Sequence, residues 1–158
     1  MKDPKYYGDA QIHLVNEHNA DASCESVWKI LNKQWGDIST WATAIESSEA
    51  IYYGSHSARG RSCTSDMGVL TDSITECNPS THHMCYDVNG MPNSFKTFTN
   101  TWDVEEVDDA HCKVYLTTDF RVDTGDVNFN LAEARVNINN KMCTLLDDLC
   151  DYACNTPS

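Results

Sequence analysis

Over residues 11–19 apolar and polar positions alternate through Ile12, Leu14 and Asn16, which predicts a strand. The period then lengthens. Asp21 and Ser23 are good helix N-caps ahead of Val27, Trp28, Ile30 and Leu31, an apolar set that predicts an amphipathic helix running to about Asn32. Gly36-Asp37 breaks that helix, and residues 39–41 make a short second turn ending on Trp41. Alternation then returns, with strands predicted at 45–53, 60–67, 70–77, 82–88, 95–107 and 111–121. They are punctuated by Gly54 and the polar 55–58, by Gly68, by Asn78-Pro79-Ser80, by the turn over 89–93 and by Asp108-Asp109. After a break at 123–126 the period changes again. Leu131, Ala134, Ile138, Met142, Leu145, Leu149 and Tyr152 recur every three or four residues, and neither Pro nor Gly occurs from 127 to 155. That is one face of a long helix. Residues 1–9 read as a polar lead-in. The order β–α–α–many β–long α has few compact solutions, and the best is a curved antiparallel sheet around the C-terminal helix, with a cavity between them. The expectation is an α+β chain in one domain over 1–158, its core at about 11–152.

In such a sheet alternate residues face the helix. Phe98, Asn100, Trp102 and Val104 form one inner row, and Cys112, Val114, Leu116, Thr118 and Phe120 another. Met84, Tyr86 and Val88 form a third, and Ile138 and Met142 look down from the helix. Leu70 and Ile74 face inward with Asp72 between them. On the preceding strand Arg61 shares the parity of Cys63 and Met67. An Arg and an Asp aimed at an apolar interior are costly unless they are paired or are met by a polar ligand. Two readings of Arg61 and Asp72 therefore stand: an ordinary ion pair near the cavity mouth, or groups that touch a ligand.

Composition narrows the classes. A chain of 158 residues with 41% hydrophobic and 22% charged content can bury a core and is not a disordered tail. The formal net charge of −13 argues against nucleic acid and anionic membrane surfaces. No apolar run reaches the roughly 18–20 residues of a membrane span, so no membrane insertion is expected. The first residues show no signal-like apolar core, which predicts a cytoplasmic protein, or an exported one if a leader has been removed. Eight cysteines with no C-x-x-C pair read as buried free thiols rather than a metal site or redox dithiol, with a disulfide framework as the exported alternative. His82 and His83 point to opposite sides of a strand, so His82-His83-x-Cys85 does not converge on a metal. No G-x-S-x-G elbow or phosphate loop is present. No metal and no cofactor is expected, and the chain is expected as a monomer or homodimer.

Several motifs carry a family resemblance over about residues 11–152: A-x-x-E-S-V-W-K-I-L at 22–31, W-G-D-I-S-T-W at 35–41, G-R at 60–61, M-C-Y-D-V at 84–88, and the strand holding Phe98, Asn100 and Trp102. Together they resemble the polyketide cyclase/dehydrase branch of the START/Bet v 1-like (SRPBCC) superfamily. The resemblance implies a helix-grip, with a seven-stranded antiparallel sheet, two short helices after the first strand and a long C-terminal helix. It also implies a small hydrophobic or aromatic ligand between sheet and helix. Members of the superfamily include carriers, receptors and cyclases. In a plant relative an Arg and a Glu on neighbouring strands serve catalysis, and Arg61 and Asp72 stand at roughly those places, with Asp the shorter acid. Three functions follow for this chain. One is a ligand-binding protein whose pocket uses Tyr86, Asn100, Trp102, Met84, Phe98, Leu116, Phe120, Ile138 and Met142. Another is a cyclase or dehydrase in which Asp72 moves a proton, Arg61 polarises a carbonyl, and Tyr86 or Asn100 donates to the oxyanion. The third is a protein-interaction module with a filled interior.

Overall fold

The computed structural model describes residues 9–54, 56–92, 94–125 and 129–156. Strand β1 (Asp9–Ala20) is followed by helix α1 (Cys24–Trp28), then β2 (Ile45–Ile51), β3 (Gly60–Ser65), β4 (Gly68–Asn78), β5 (His83–Asn89), β6 (Phe95–Asp108), β7 (His111–Asp123) and helix α2 (Leu131–Asn155). The seven strands form one antiparallel sheet in the order β1-β7-β6-β5-β4-β3-β2. With α2 against it, this is the helix-grip α+β architecture.

The predicted first helix is only in part an α-helix. Ser23 caps it, its hydroxyl accepting from the Ser26 amide at 3.1 Å. After Trp28 the chain widens into a π turn over Lys29–Lys33, closed by the Gln34 amide on the Lys29 carbonyl at 3.0 Å. A 3-10 segment, Trp35–Thr40, then takes the place of the short turn expected at 39–41. Gly36 is required there by close approach, since a Cβ on it would stand 2.6 Å from that of Ala50 on β2.

The predicted strands are all present, with ends moved by turn chemistry. β2 stops at Ile51 because Tyr53 and Gly54 take positive φ (49° and 76°), and β5 begins at His83 because His82 does the same (52°). β3 ends at Ser65, ahead of a turn that uses Gly68 at φ 95°. The expected lead-in lies outside the described residues except for Asp9, which begins β1; so do parts of the breaks at 55–58, 89–93 and 123–126 and of the helical pattern from 127.

Inner residues fall into cross-strand rows. Met84, Trp102 and Leu116 are register partners, as are Tyr86, Asn100 and Thr118, while Phe98 pairs with Phe120 and Arg61 with Asp72. Helix α2 starts on an Asn130 cap whose side chain accepts from the Glu133 amide. Its buried residues are Ile138, Met142, Leu146, Leu149, Cys150 and Ala153. The face expected from spacing is therefore widened in the second half, where Leu146, Cys150 and Ala153 are buried beside Leu145 and Tyr152, which pack against the core half-buried. All eight cysteines are free thiols, and Cys24, Cys63, Cys112 and Cys150 are buried.

Candidate ligand-binding site

Two dipeptides far apart in sequence interlock to build one wall of the interior. Trp35-Gly36 comes from the 3-10 segment and Gly60-Arg61 from the start of β3. The Arg61 guanidinium donates from its Nη1 to the Trp35 carbonyl (3.1 Å), and the Trp35 indole N–H donates to the Gly60 carbonyl (2.8 Å). The guanidinium carbon lies 3.6 Å from the centre of the Trp35 ring and 5.0 Å from that of Tyr86. Gly60 admits the neighbouring strand, since a Cβ there would lie 2.7 Å from the Asp72 carbonyl oxygen. Trp35 thus presents Arg61 to Asp72, its register partner on β4. Arg61 Nε donates to Asp72 Oδ2 at 2.7 Å, and the two residues are 3% and 6% exposed. A pair this deep tolerates loss of neither partner.

The electrostatics follow from burial. Burial works most strongly against the Arg61 charge, but Asp72 together with smaller contributions from Tyr86 and Cys63 outweighs it and holds the guanidinium above its ordinary value. Burial pushes the Asp72 carboxyl up, with Arg61 pulling it back only in part. The Tyr86 phenol is raised mainly by burial, and the Cys63 thiol is pushed up to about 11 for the same reason.

Beside this wall a second polar group runs across the sheet. Thr118 Oγ1 donates to Asn100 Oδ1 (2.8 Å), and the Trp102 indole N–H donates to the Tyr86 hydroxyl oxygen (3.1 Å). Arg61, Asp72, Tyr86 and Asn100 all line a cavity of about 90 Å³ between the sheet and the N-terminal half of α2. Phe98, Ile138 and Met142 line it as well. Seven of the eleven residues singled out from the sequence therefore meet at one hollow. The other four do not reach it: Met84, Trp102, Leu116 and Phe120 are packed in the core, each at most 1% exposed. Trp102 sits behind Tyr86, and Phe120 stacks on the back of Phe98 with ring centroids 5.6 Å apart.

The rim holds residues that alternation did not select. Met91 of the β5–β6 connection, Asp66 of the β3–β4 turn and Lys141 of α2 stand there with Met67, which had been placed on the inner face. Lys141 reaches Asp66 at 3.1 Å, tying the helix to the turn. An outer depression of about 200 Å³ adjoins the hollow and shares Met67, Met91, Ile138 and Lys141 with it. The available sequence signal was a methionine in each of two turns, directly before Gly68 and Pro92, where turn chemistry calls for polar residues.

His82, His83 and Cys85 diverge. His82 meets Cys24 and Glu25, His83 lies between Glu76 and Asp103, and Cys85 accepts from Thr101. Among the described residues no group of three or more His, Cys, Asp or Glu could hold a metal ion.

A family model described as polyketide cyclase/dehydrase and lipid transport matches residues 11–152. No curated protein sequence matches the chain. Solved structures share the fold at low identity. The Zhui aromatase/cyclase from Streptomyces sp. R1128 superposes with a TM-score of 0.76 at 14% identity, covering 91% of this chain and 94% of its own. A START superfamily protein from Mycobacterium smegmatis gives 0.75 at 10% identity, with 89% and 96% covered. Truncated norcoclaurine synthase from Thalictrum flavum gives 0.71 at 13% identity, with 95% and 98% covered.

Proposed function

The chain belongs to the polyketide cyclase/dehydrase and lipid transport family, and from that premise we propose that it binds a small hydrophobic or aromatic molecule in the hollow between the sheet and α2. The observation that carries this reading is a mostly apolar cavity with a few polar groups, Arg61, Asp72, Tyr86 and Asn100 on the sheet and Asp66 and Lys141 at the rim, the composition expected where a few groups orient an otherwise greasy guest. At about 90 Å³ the hollow suits a compact guest; pockets for drug-sized ligands run to roughly 300–1,000 Å³. The outer depression past Met67 and Met91 offers room for a substituent. Native mass spectrometry of protein purified from its own source tests the proposal. A retained small molecule, lost when Met142 is replaced by Trp to fill the hollow, supports it. An empty protein that gains no thermal stability from any single-ring hydrophobic compound favours an interaction module that uses its surface.

Chemistry on the guest is the second reading, and the burial-raised Asp72 carboxyl on the cavity wall favours it. In that case Asp72 moves a proton, and Arg61 steadies the oxygen on which charge develops. Full turnover of a cyclising substrate by both Asp72→Asn and Arg61→Ala would remove this reading while leaving ligand binding intact.

A further inference from the structure

Tyr86 lines the hollow, and the groups around its hydroxyl restrict what that hydroxyl can do. The Trp102 indole, a donor only, gives its N–H to the Tyr86 oxygen at 3.1 Å. Asn100, the register partner of Tyr86 on β6, lies beside the same hydroxyl. Its Oδ1 is already engaged, accepting from the Thr118 hydroxyl at 2.8 Å. Arg61, the third polar neighbour, has no acceptor atom. Trp102 therefore feeds the Tyr86 oxygen, and among the described residues none is hydrogen-bonded to take its proton: Asp72, whose charge also acts on Tyr86, is engaged by Arg61 at 2.7 Å. A buried hydroxyl in that position costs stability unless something accepts from it.

Resting on the ligand-binding reading above, we propose that Tyr86 is the directed donor of this cavity, that Trp102 is the positioning residue which aims it, and that the guest is a neutral single-ring compound bearing a carbonyl oxygen. Size follows from the hollow. The hollow is about 90 Å³ and the row behind it (Met84, Trp102 and Leu116) is closed, so a guest with its carbonyl on Tyr86 has room inside for one ring, and only a substituent reaches the outer depression. Neutrality follows from the wall. Arg61 is already matched by Asp72 at 2.7 Å, so no unbalanced positive charge is left to offset the burial of a carboxylate.

Calorimetric titration of the whole chain with acetophenone, ethylbenzene, benzoate and 2-acetylnaphthalene tests this. Acetophenone is expected to bind about tenfold tighter than ethylbenzene, a difference of about one buried hydrogen bond. Benzoate and the naphthyl ketone are expected to bind more weakly than acetophenone. Tyr86→Phe should bring acetophenone and ethylbenzene to equal affinity. Trp102→Phe should shrink the ratio to a few-fold with ethylbenzene affinity retained, a change that a merely structural role would not produce. Equal affinities in the wild type, a ratio unchanged in Tyr86→Phe, or binding of the naphthyl ketone or benzoate as tight as that of acetophenone overturns the inference and leaves the ligand-binding reading standing. If none of the four compounds binds, that reading falls, and the inference with it.

Discussion

At one end of the interior Trp41, Met84, Trp102, Leu116 and Leu149 are packed into the core, none more than 7% exposed. At the other end Leu70, Phe98, Ile138 and Met142 stand around a hollow of about 90 Å³. One sheet and one helix form both ends. The difference lies in what is inserted between them. At the packed end α1 and the segment after it fill the space, with Trp41 edge-on to Trp102 and Cys24 against the Val104 carbonyl. At the hollow end the inserted groups are an ion pair and the aromatic rings that hold it, which brace the wall without filling the volume in front of it. The lesson is that the same sheet and helix are packed unevenly along their length, filled where the inserted segment enters and open where it only braces the wall.

Charge removal at the hollow end should have the largest effect on that contrast. Arg61→Ala leaves a buried, unpaired carboxylate and should cost about 3–5 kcal/mol in urea unfolding. The double change Arg61→Met with Asp72→Leu should recover most of that loss, because no charge is then left buried alone. Truncating α2 at each end compares filled and unfilled space directly. Leu149→Ala, at a residue with no exposure, should cost about 3–5 kcal/mol. Met142→Ala should cost about 2 kcal/mol or less, since that side chain already faces a void and gives up fewer contacts. Equal losses at the two positions would show that the hollow is closed in solution.

Trp41 provides a finer probe of the packed end. Its indole N–H is buried without a hydrogen-bond partner, whereas that of Trp102 is bonded to Tyr86. Trp41→Phe should therefore change stability by less than about 1 kcal/mol in thermal unfolding, the lost packing being offset by removal of the unmatched donor. Trp102→Phe should be clearly more destabilising.

The smallest effect belongs to neither end. On the outer face of the sheet, His83 is held by Glu76 (2.9 Å) and Asp103 (2.7 Å), and these bonds raise its pKa above 6.5. The raised value means that the folded state holds the proton more tightly than the unfolded chain does. The stabilisation is thus complete below about pH 6.5 and disappears as pH rises through the folded value. Melting temperatures of wild type and His83→Gln should differ most near pH 5.5 and converge at alkaline pH, with ligand affinity the same in both. A difference that grows with pH would refute the assignment.

Element order, strand alternation and the sharing of one face by Arg61 and Asp72 were all legible along the chain. Periods of two and of three to four residues are set by local backbone geometry, so Phe98, Asn100 and Trp102 had to lie on one side and Ile138 and Met142 on one helical face. Location along the grip was not legible in that way. Whether an inward residue meets a neighbour or a void depends on sheet curvature, on the rotation of α2 and on the inserted segment, all of them contacts between distant residues. Only the tertiary structure could therefore send Trp102 behind Tyr86, bring Trp35 under Arg61, widen the buried face of α2 to Leu146, Cys150 and Ala153, and set Met91 on the rim beside Met67. Alternation determined which residues face inward; packing between distant parts of the chain decided how far each one reaches and what space is left.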